Sequence, residues 1–167
     1  MNIEIRYEQP CDEAFIFKLT ADAFKPIEYS DGSEPYIVNK LRTDGDLALS
    51  LVAVRENEIV GHIAFSAVTI DGADNRWFGL GPVSVAIEHQ GKGIGSKLIA
   101  EGLRQLKSDG ANGCVLVGDP AYYSRMGFQS DGKVTYSGVP NEYVQWLSLG
   151  GASPSGKIKY QPAFSGT

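Results

Sequence analysis

At the start of the chain Ile3, Ile5 and Tyr7 alternate with polar residues, which predicts a short strand. The period then lengthens. Phe15, Ile16, Leu19 and Ala23 share one helical face, and Asp12 is placed to cap that helix. The polar, breaker-rich run Pro26–Pro35 predicts a loop, and Tyr36, Ile37 and Leu41 predict a second short helix. Three strand-like runs follow: Leu47–Val54, Ile59–Ile70 and Trp77–Val85. The turns between them, Glu56-Asn57-Glu58 and Asp71–Asn75, are short enough for antiparallel hairpins. Pro82 has no N–H for a sheet ladder, so the third strand must lose a neighbour or bulge near it.

The strongest helical pattern comes next. Ile94, Leu98, Ile99, Leu103 and Leu106 fall on one face, and Gly110 is a natural stop. Cys114–Gly118 reads as a buried strand, and Pro120 opens a short helix running to Met126. Ser130–Pro140 reads as loop, and two late strands are expected at Tyr143–Leu149 and Lys157–Tyr160. Hairpins followed by a strand–helix–strand crossover give an α/β protein: a mixed sheet with helices on its faces. The 167 residues fit one domain covering 1–167, without repeats or linkers.

Charge and cysteine usage remove several function classes. The net charge is −5 and the lysines and arginines form no basic block, so no general nucleic-acid surface is expected. Cys11 and Cys114 have no zinc-site spacing and make no disulfide framework, and no metal is expected. Met1–Tyr7 carries Glu4 and Arg6 rather than an apolar core, and no stretch approaches the ~20 apolar residues of a membrane span. A soluble, cytoplasmic protein follows as the expectation. The late strands near Tyr143–Tyr160 offer an edge for pairing with a second copy, which would make a homodimer.

The candidate chemistry starts at Gln90-Gly91-Lys92-Gly93-Ile94-Gly95, followed by Ser96, between a strand and the long helix. Glycines let the backbone approach a ligand closely, and the helix presents unbonded N–H groups with the positive end of its dipole behind them. A pyrophosphate suits such a site. A Walker loop would end Gly-Lys-Ser/Thr, whereas Gly95-Ser96-Lys97 has another order, and the glycine spacing does not fit a dinucleotide fingerprint.

Residues Gln90–Gly95 resemble the Gln/Arg-x-x-Gly-x-Gly/Ala signature of the GNAT superfamily of acyl-CoA-dependent N-acyltransferases. Leu80-Gly81-Pro82-Val83-Ser84-Val85 resembles that family's fourth strand, and Tyr122–Phe128 is similar to its closing Tyr-x-x-x-Gly-Phe element. Gly118-Asp119-Pro120-Ala121-Tyr122-Tyr123 looks like a bacterial branch of predicted acetyltransferases. The resemblance implies the GNAT fold, with a mostly antiparallel sheet whose fourth and fifth strands splay apart. It implies acetyl-CoA as co-substrate. The backbone of Val83 and Val85, flanking Ser84, would bond pantetheine, and the amides from Gly91 to Gly95 would hold the diphosphate.

The implied reaction is direct attack of an amine on the thioester. The departing sulfur needs a proton, and Tyr123, four positions before Gly127, matches the family's general acid. Glu34 and Glu28, in or beside the first polar loop, are candidates for the acceptor site or the base. His62 alternates with Ile63 along a strand, so it could face the cleft or be a satisfied structural histidine, and His89 reads as an exposed one beside the loop. The acceptor would be a small-molecule amine or a protein or peptide amine. The alternative is a non-catalytic protein of the same fold that holds acyl-CoA as a sensor or scaffold.

Overall fold

The computed structural model describes residues 2–165; Met1, Gly166 and Thr167 lie outside the described residues. Two compact units are formed. Among the described residues the first comprises 2–65, 81–102 and 162–165, and the second Ser66–Leu80 and Leu103–Gln161.

In the first unit β1 (Glu4–Tyr7) pairs antiparallel with β2 (Leu47–Arg55), placing Tyr7 opposite Leu51. A two-residue turn, Glu56-Asn57, leads from β2 into β3 (Glu58–Ile70) with both residues at positive φ, 50° and 64°. This backbone twist suits a tight hairpin. β4 (Ala73–Val85) lies next to β3 in the sheet order β1-β2-β3-β4. Helices α1 (Glu13–Phe24) and α2 (Glu34–Asp44) bury Ile16 and Val38 against Val52 of β2.

Several local expectations are corrected here. Asp12 stands at the N-cap of α1 but caps nothing there; its carboxylate accepts from Arg6 and from the Gln9 amide, both at 2.7 Å. Phe15, placed on the apolar face of the first helix, is 65% exposed, as is Tyr36 of the second, and the core is built from Ile16, Leu19, Val38 and Leu41. The loop is shorter than Pro26–Pro35, because α2 already begins at Glu34.

α3 (Ile94–Ser108) starts in the first unit, and its opening turns lie directly on β3. A Cβ at Gly61 would sit 2.9 Å from a Leu98 methyl and 3.0 Å from Ile94. One at Gly102 would run into the Phe65 ring. Helix and strand therefore meet where one partner gives up its side chain. Gly110, at φ 86°, ends the helix as expected.

In the second unit β4 pairs with β5 (Gly113–Val117) in parallel, and β5 pairs antiparallel with β7 (Val144–Ser148). The parallel register covers Trp77, Phe78 and Gly79 only, while β4 runs on to Val85. The strand thus leaves β5 before Pro82. β8 (Gly156–Lys159) pairs with β3 through Thr69 and Ile70 and with β6 (Val134–Thr135), a strand inside the stretch read as loop. β7 meets β5 and, at Trp146, Gln129, while β8 lies between β3 and β6. β8 is thus paired on both sides, while β7 ends the strand order and is bridged on its far side at Trp146 alone among the described residues. Val68, Trp77, Val115, Trp146 and Ile158 form the core of this unit.

β4 also begins four residues earlier than expected. Asp71 (φ 51°) and Gly72 (φ 79°) complete the turn by themselves, so Ala73–Arg76 join the strand.

Candidate functional site

The loop at the head of α3 lies wholly in the first unit. From β4 the chain passes Val83 and Val85, with Ser84 buried between them, and makes a single turn over Ile87–His89. Gln90 ties back to the strand, its Nε2 donating to the Val85 carbonyl at 3.0 Å. Gly91 and Gly93 adopt φ of 77° and 84°, the left-handed region open to glycine, and a Cβ at either would meet nothing within 4 Å. Lys92 is exposed between them, and buried Ile94 anchors the first helical turn. The Lys97 amide donates to the Gly93 carbonyl at 3.1 Å, so the amides of Ile94 and Gly95 belong to the turn that a helix leaves without internal acceptors. With the helix dipole behind them, these donors form an open cradle for an anion. Gly95 and Ser96 continue that first turn.

Tyr123 lies in the second unit, at the end of α4 (Pro120–Tyr123). Asp119 caps α4 through the Ala121 amide at 2.9 Å. The Tyr123 ring meets Tyr122 and Phe128 edge-on, with centroids 4.9 and 6.0 Å away, and a Cβ at Gly118 would press on it. Gly127 turns the chain at φ 96° so that Phe128 is buried beside the ring. Tyr122 is half-buried and carries the Arg125 guanidinium 5.0 Å from its centroid.

Glu34 opens α2, where its Oε1 accepts from the Ser30 hydroxyl at 2.6 Å. A cleft of about 500 Å³ lies over it, lined among others by Phe17, Asp22, Lys25, Pro35 and Tyr36. A second, of about 580 Å³, joins the end of α1 to Ala86, Ile87 and Glu88. His89 is half-buried rather than exposed.

One polar cluster escaped sequence reasoning. Arg42 holds Glu8 with two hydrogen bonds, 2.7 Å from Nε and 2.8 Å from Nη2. The Ser50 hydroxyl donates to the same carboxylate at 2.6 Å and lies 2.8 Å from Nε2 of His62. That hydroxyl has one proton and gives it to Glu8, so toward His62 it accepts, and Nε2 carries the ring hydrogen. His62 is fully buried, and burial pushes its pKa down to about 4, with Glu8 opposing and Arg42 assisting. Burial also pushes the Glu8 carboxyl up, but the bonds from Arg42 and Ser50 outweigh it and hold Glu8 below its ordinary range. His62 Nδ1 and the Ser84 hydroxyl are both buried and have no hydrogen-bond partner among the described residues. The signal was a polar residue inside each of two apolar strands, Ser50 in β2 and His62 in β3.

Both cysteines are free thiols, Cys11 exposed and Cys114 buried, and burial drives the Cys114 thiol far above its usual range. Among the described residues no three His, Cys, Asp or Glu side chains gather as a metal site, and no helix is long and apolar enough to cross a membrane.

Comparison with known proteins gives the arrangement its context. Residues 4–130 match the family model described as an acetyltransferase (GNAT) domain. A relative from Escherichia coli strain K12, the uncharacterized N-acetyltransferase YhbS, is 39% identical over 126 residues, spanning 75% of this chain and 72% of its own. Among solved structures, a GNAT family acetyltransferase from Brucella melitensis in complex with acetyl-CoA superposes with a TM-score of 0.88. It is 47% identical, with 98% of each chain covered. Escherichia coli YhbS in complex with CoA superposes with a TM-score of 0.91 at 30% identity, covering 99% of this chain and 93% of its own.

Proposed function

The chain belongs to the GNAT acetyltransferases, and on that premise we propose that it moves an acetyl group from acetyl-CoA to a primary amine by direct attack with both substrates bound. The open cradle at the head of α3 carries this reading, because the space left by Gly91 and Gly93 is where a diphosphate would approach the backbone. The coenzyme supplies an acetyl group activated as a thioester.

The amides from Gly91 to Gly95, with Gln90, Lys92 and Ser96 around them, hold the diphosphate, and the backbone of Val83 and Val85 bonds the pantetheine arm. The lining of the two clefts beside α1 suits the acceptor side: Asp22 borders both, Glu34 borders one and Glu88 the other. Asp22 is already paired with Lys18 at 2.6 Å and Lys25 lines both clefts, which leaves Glu34 and Glu88 to meet the acceptor, either a small-molecule amine or an amine of a protein or peptide. A lysine-like amine is mostly protonated at pH 7, and presenting it neutral costs about 4.6 kcal/mol. The same chemistry asks for an acid at the other end of the reaction. Tyr123 protonates the departing sulfur; a phenol of pKa about 10 and a thiol of about 8.5 are close enough for efficient transfer. In this reading residues 1–167 act as one acetyltransferase domain in the cytoplasm.

Calorimetry with CoA, followed by thiol release from acetyl-CoA across a panel of amines, tests the proposal. Binding together with amine-dependent thiol release is expected. Absence of CoA binding would end it.

A further inference from the structure

Acetyl transfer needs a group to take the amine's proton, and the buried cluster around His62 has the form of one. The Glu8 amide donates to the Ser50 carbonyl at 3.0 Å, continuing the β1–β2 ladder. The Ala86 amide donates to the Val60 carbonyl at 2.9 Å, which aligns Ala86 with Val60 on antiparallel strands. Two residues further along, Ser84 stands opposite His62. Opposed side chains leave the same face of a sheet with Cβ atoms about 5 Å apart. Glu8, Ser50, His62 and Ser84 therefore follow one another across four neighbouring strands. The outer end opens to a surface cleft of about 350 Å³ bordered by Glu8, Arg42 and Ser50. The inner end is Ser84, between the two residues assigned to pantetheine.

We propose that His62 is the proton acceptor of the reaction, taking the amine's proton at Nδ1 by way of Ser84 and a bridging water, with Ser50 and Glu8 as positioning residues. The inference rests on the acetyl-transfer reading above. Ser50, itself held by Glu8, fixes the hydrogen on Nε2, which leaves the lone pair on Nδ1. A buried acceptor atom without a donor is costly, and here it lies across from a hydroxyl in the same condition. Ser50 on β2 touches the ring, the Glu8–Arg42 pair lies beyond Ser50 and acts on it by charge, and the strand alignment places Ser84 on the other side.

The step balances as follows. The amine nitrogen bonds to the thioester carbon, the C–S bond breaks, and its electron pair goes to sulfur. Sulfur takes the Tyr123 proton and His62 takes the amine's. Imidazolium then gives a proton to water and tyrosinate takes one back, so both groups return to their starting state. As the nitrogen bonds to carbon it becomes cationic and far more acidic than a free ammonium. A base weaker than an ordinary histidine then suffices.

The test begins with nitrogen-resolved NMR of the histidine rings in the whole protein at pH 7. Hydrogen on Nε2 and a bare Nδ1 are expected for His62, and hydrogen on Nδ1 overturns the proposal. Next, thiol release from acetyl-CoA is followed with water alone and then with n-butylamine. His62→Gln keeps an amide within reach of Ser50 but has no base, and kcat should fall at least about 10²-fold with CoA affinity unchanged. Ser50→Ala should lower kcat by about tenfold and mix the two tautomers, which loss of packing alone does not do. A folded His62→Gln protein that binds CoA and turns over within threefold of the wild type sinks this proposal alone. A flat calorimetric trace for wild type with CoA sinks the acetyl-transfer reading and this one with it.

Discussion

The Ser50 hydroxyl lies 2.8 Å from Nε2 of the fully buried His62, while donating its own proton to Glu8. This relationship ties stability to pH. Burial lowers the folded pKa of His62 to about 4 from an ordinary 6.5. The unfolded chain therefore binds the proton first. The stabilisation is complete above pH 6.5 and drains away as pH falls toward 4, about 3 kcal/mol in all. Denaturant titrations at intervals across that window should show the decline in wild type and a flatter profile for His62→Gln. An equal slope in both would place the loss elsewhere. The Glu8 carboxylate is raised by burial but held below its ordinary range by Arg42 and Ser50, so its own contribution is lost as pH falls through that lowered value.

Gly93→Val puts a branched side chain at φ 84° and fills the open space of the cradle. CoA affinity should drop by about 10²-fold, close to 3 kcal/mol. A loss of roughly 1–2 kcal/mol in stability from the left-handed backbone should lower the melting midpoint by only a few degrees. Calorimetry and a thermal melt separate the two effects, and unaltered CoA binding would show the cradle to be misassigned.

Tyr123→Phe removes one hydroxyl and keeps the ring against Tyr122, Phe128 and Gly118. Turnover should fall by roughly 10²-fold, with CoA affinity and melting temperature held. Wild-type kcat in this variant would take Tyr123 out of the chemistry.

Gly102→Ala sets two effects against each other. Alanine favours a helix by about 1 kcal/mol over glycine. Its methyl group would run into the ring of fully buried Phe65, and overpacking of a core costs about 1–3 kcal/mol. Net destabilisation is expected in urea melts, with partial recovery when Phe65→Leu is added. A stabilised single variant would mean that α3 and β3 have slack between them.

Sequence pattern located the four α-helices and, among the described residues, all strands but β6, because apolar spacing is a local property. Exposure is not. Phe15 and Tyr36 fit the helical stripe as well as Ile16 and Leu41 do, yet they fall at its rim. β6 has two residues and pairs only with β8, more than twenty positions away, so no local pattern announces it. The phosphate-type loop was legible because all its parts are contiguous. The Glu8–Ser50–His62 cluster was not, since Glu8 and Ser50 are 42 positions apart and meet only through strand register.

The bond from Gln90 to the Val85 carbonyl fixes a length. It closes the chain between strand and cradle into a short loop with its ends joined, so the two cannot slide past each other. On the reading proposed above, a coenzyme laid along the strand and gripped at the helix would meet its two anchor points at a separation to which this bond contributes. The polar run between α1 and α2 lies outside that closed loop in sequence, but its first residues, Lys25 and Pro26, share a cleft with Ala86, Ile87 and Glu88, so changes there reach the same segment.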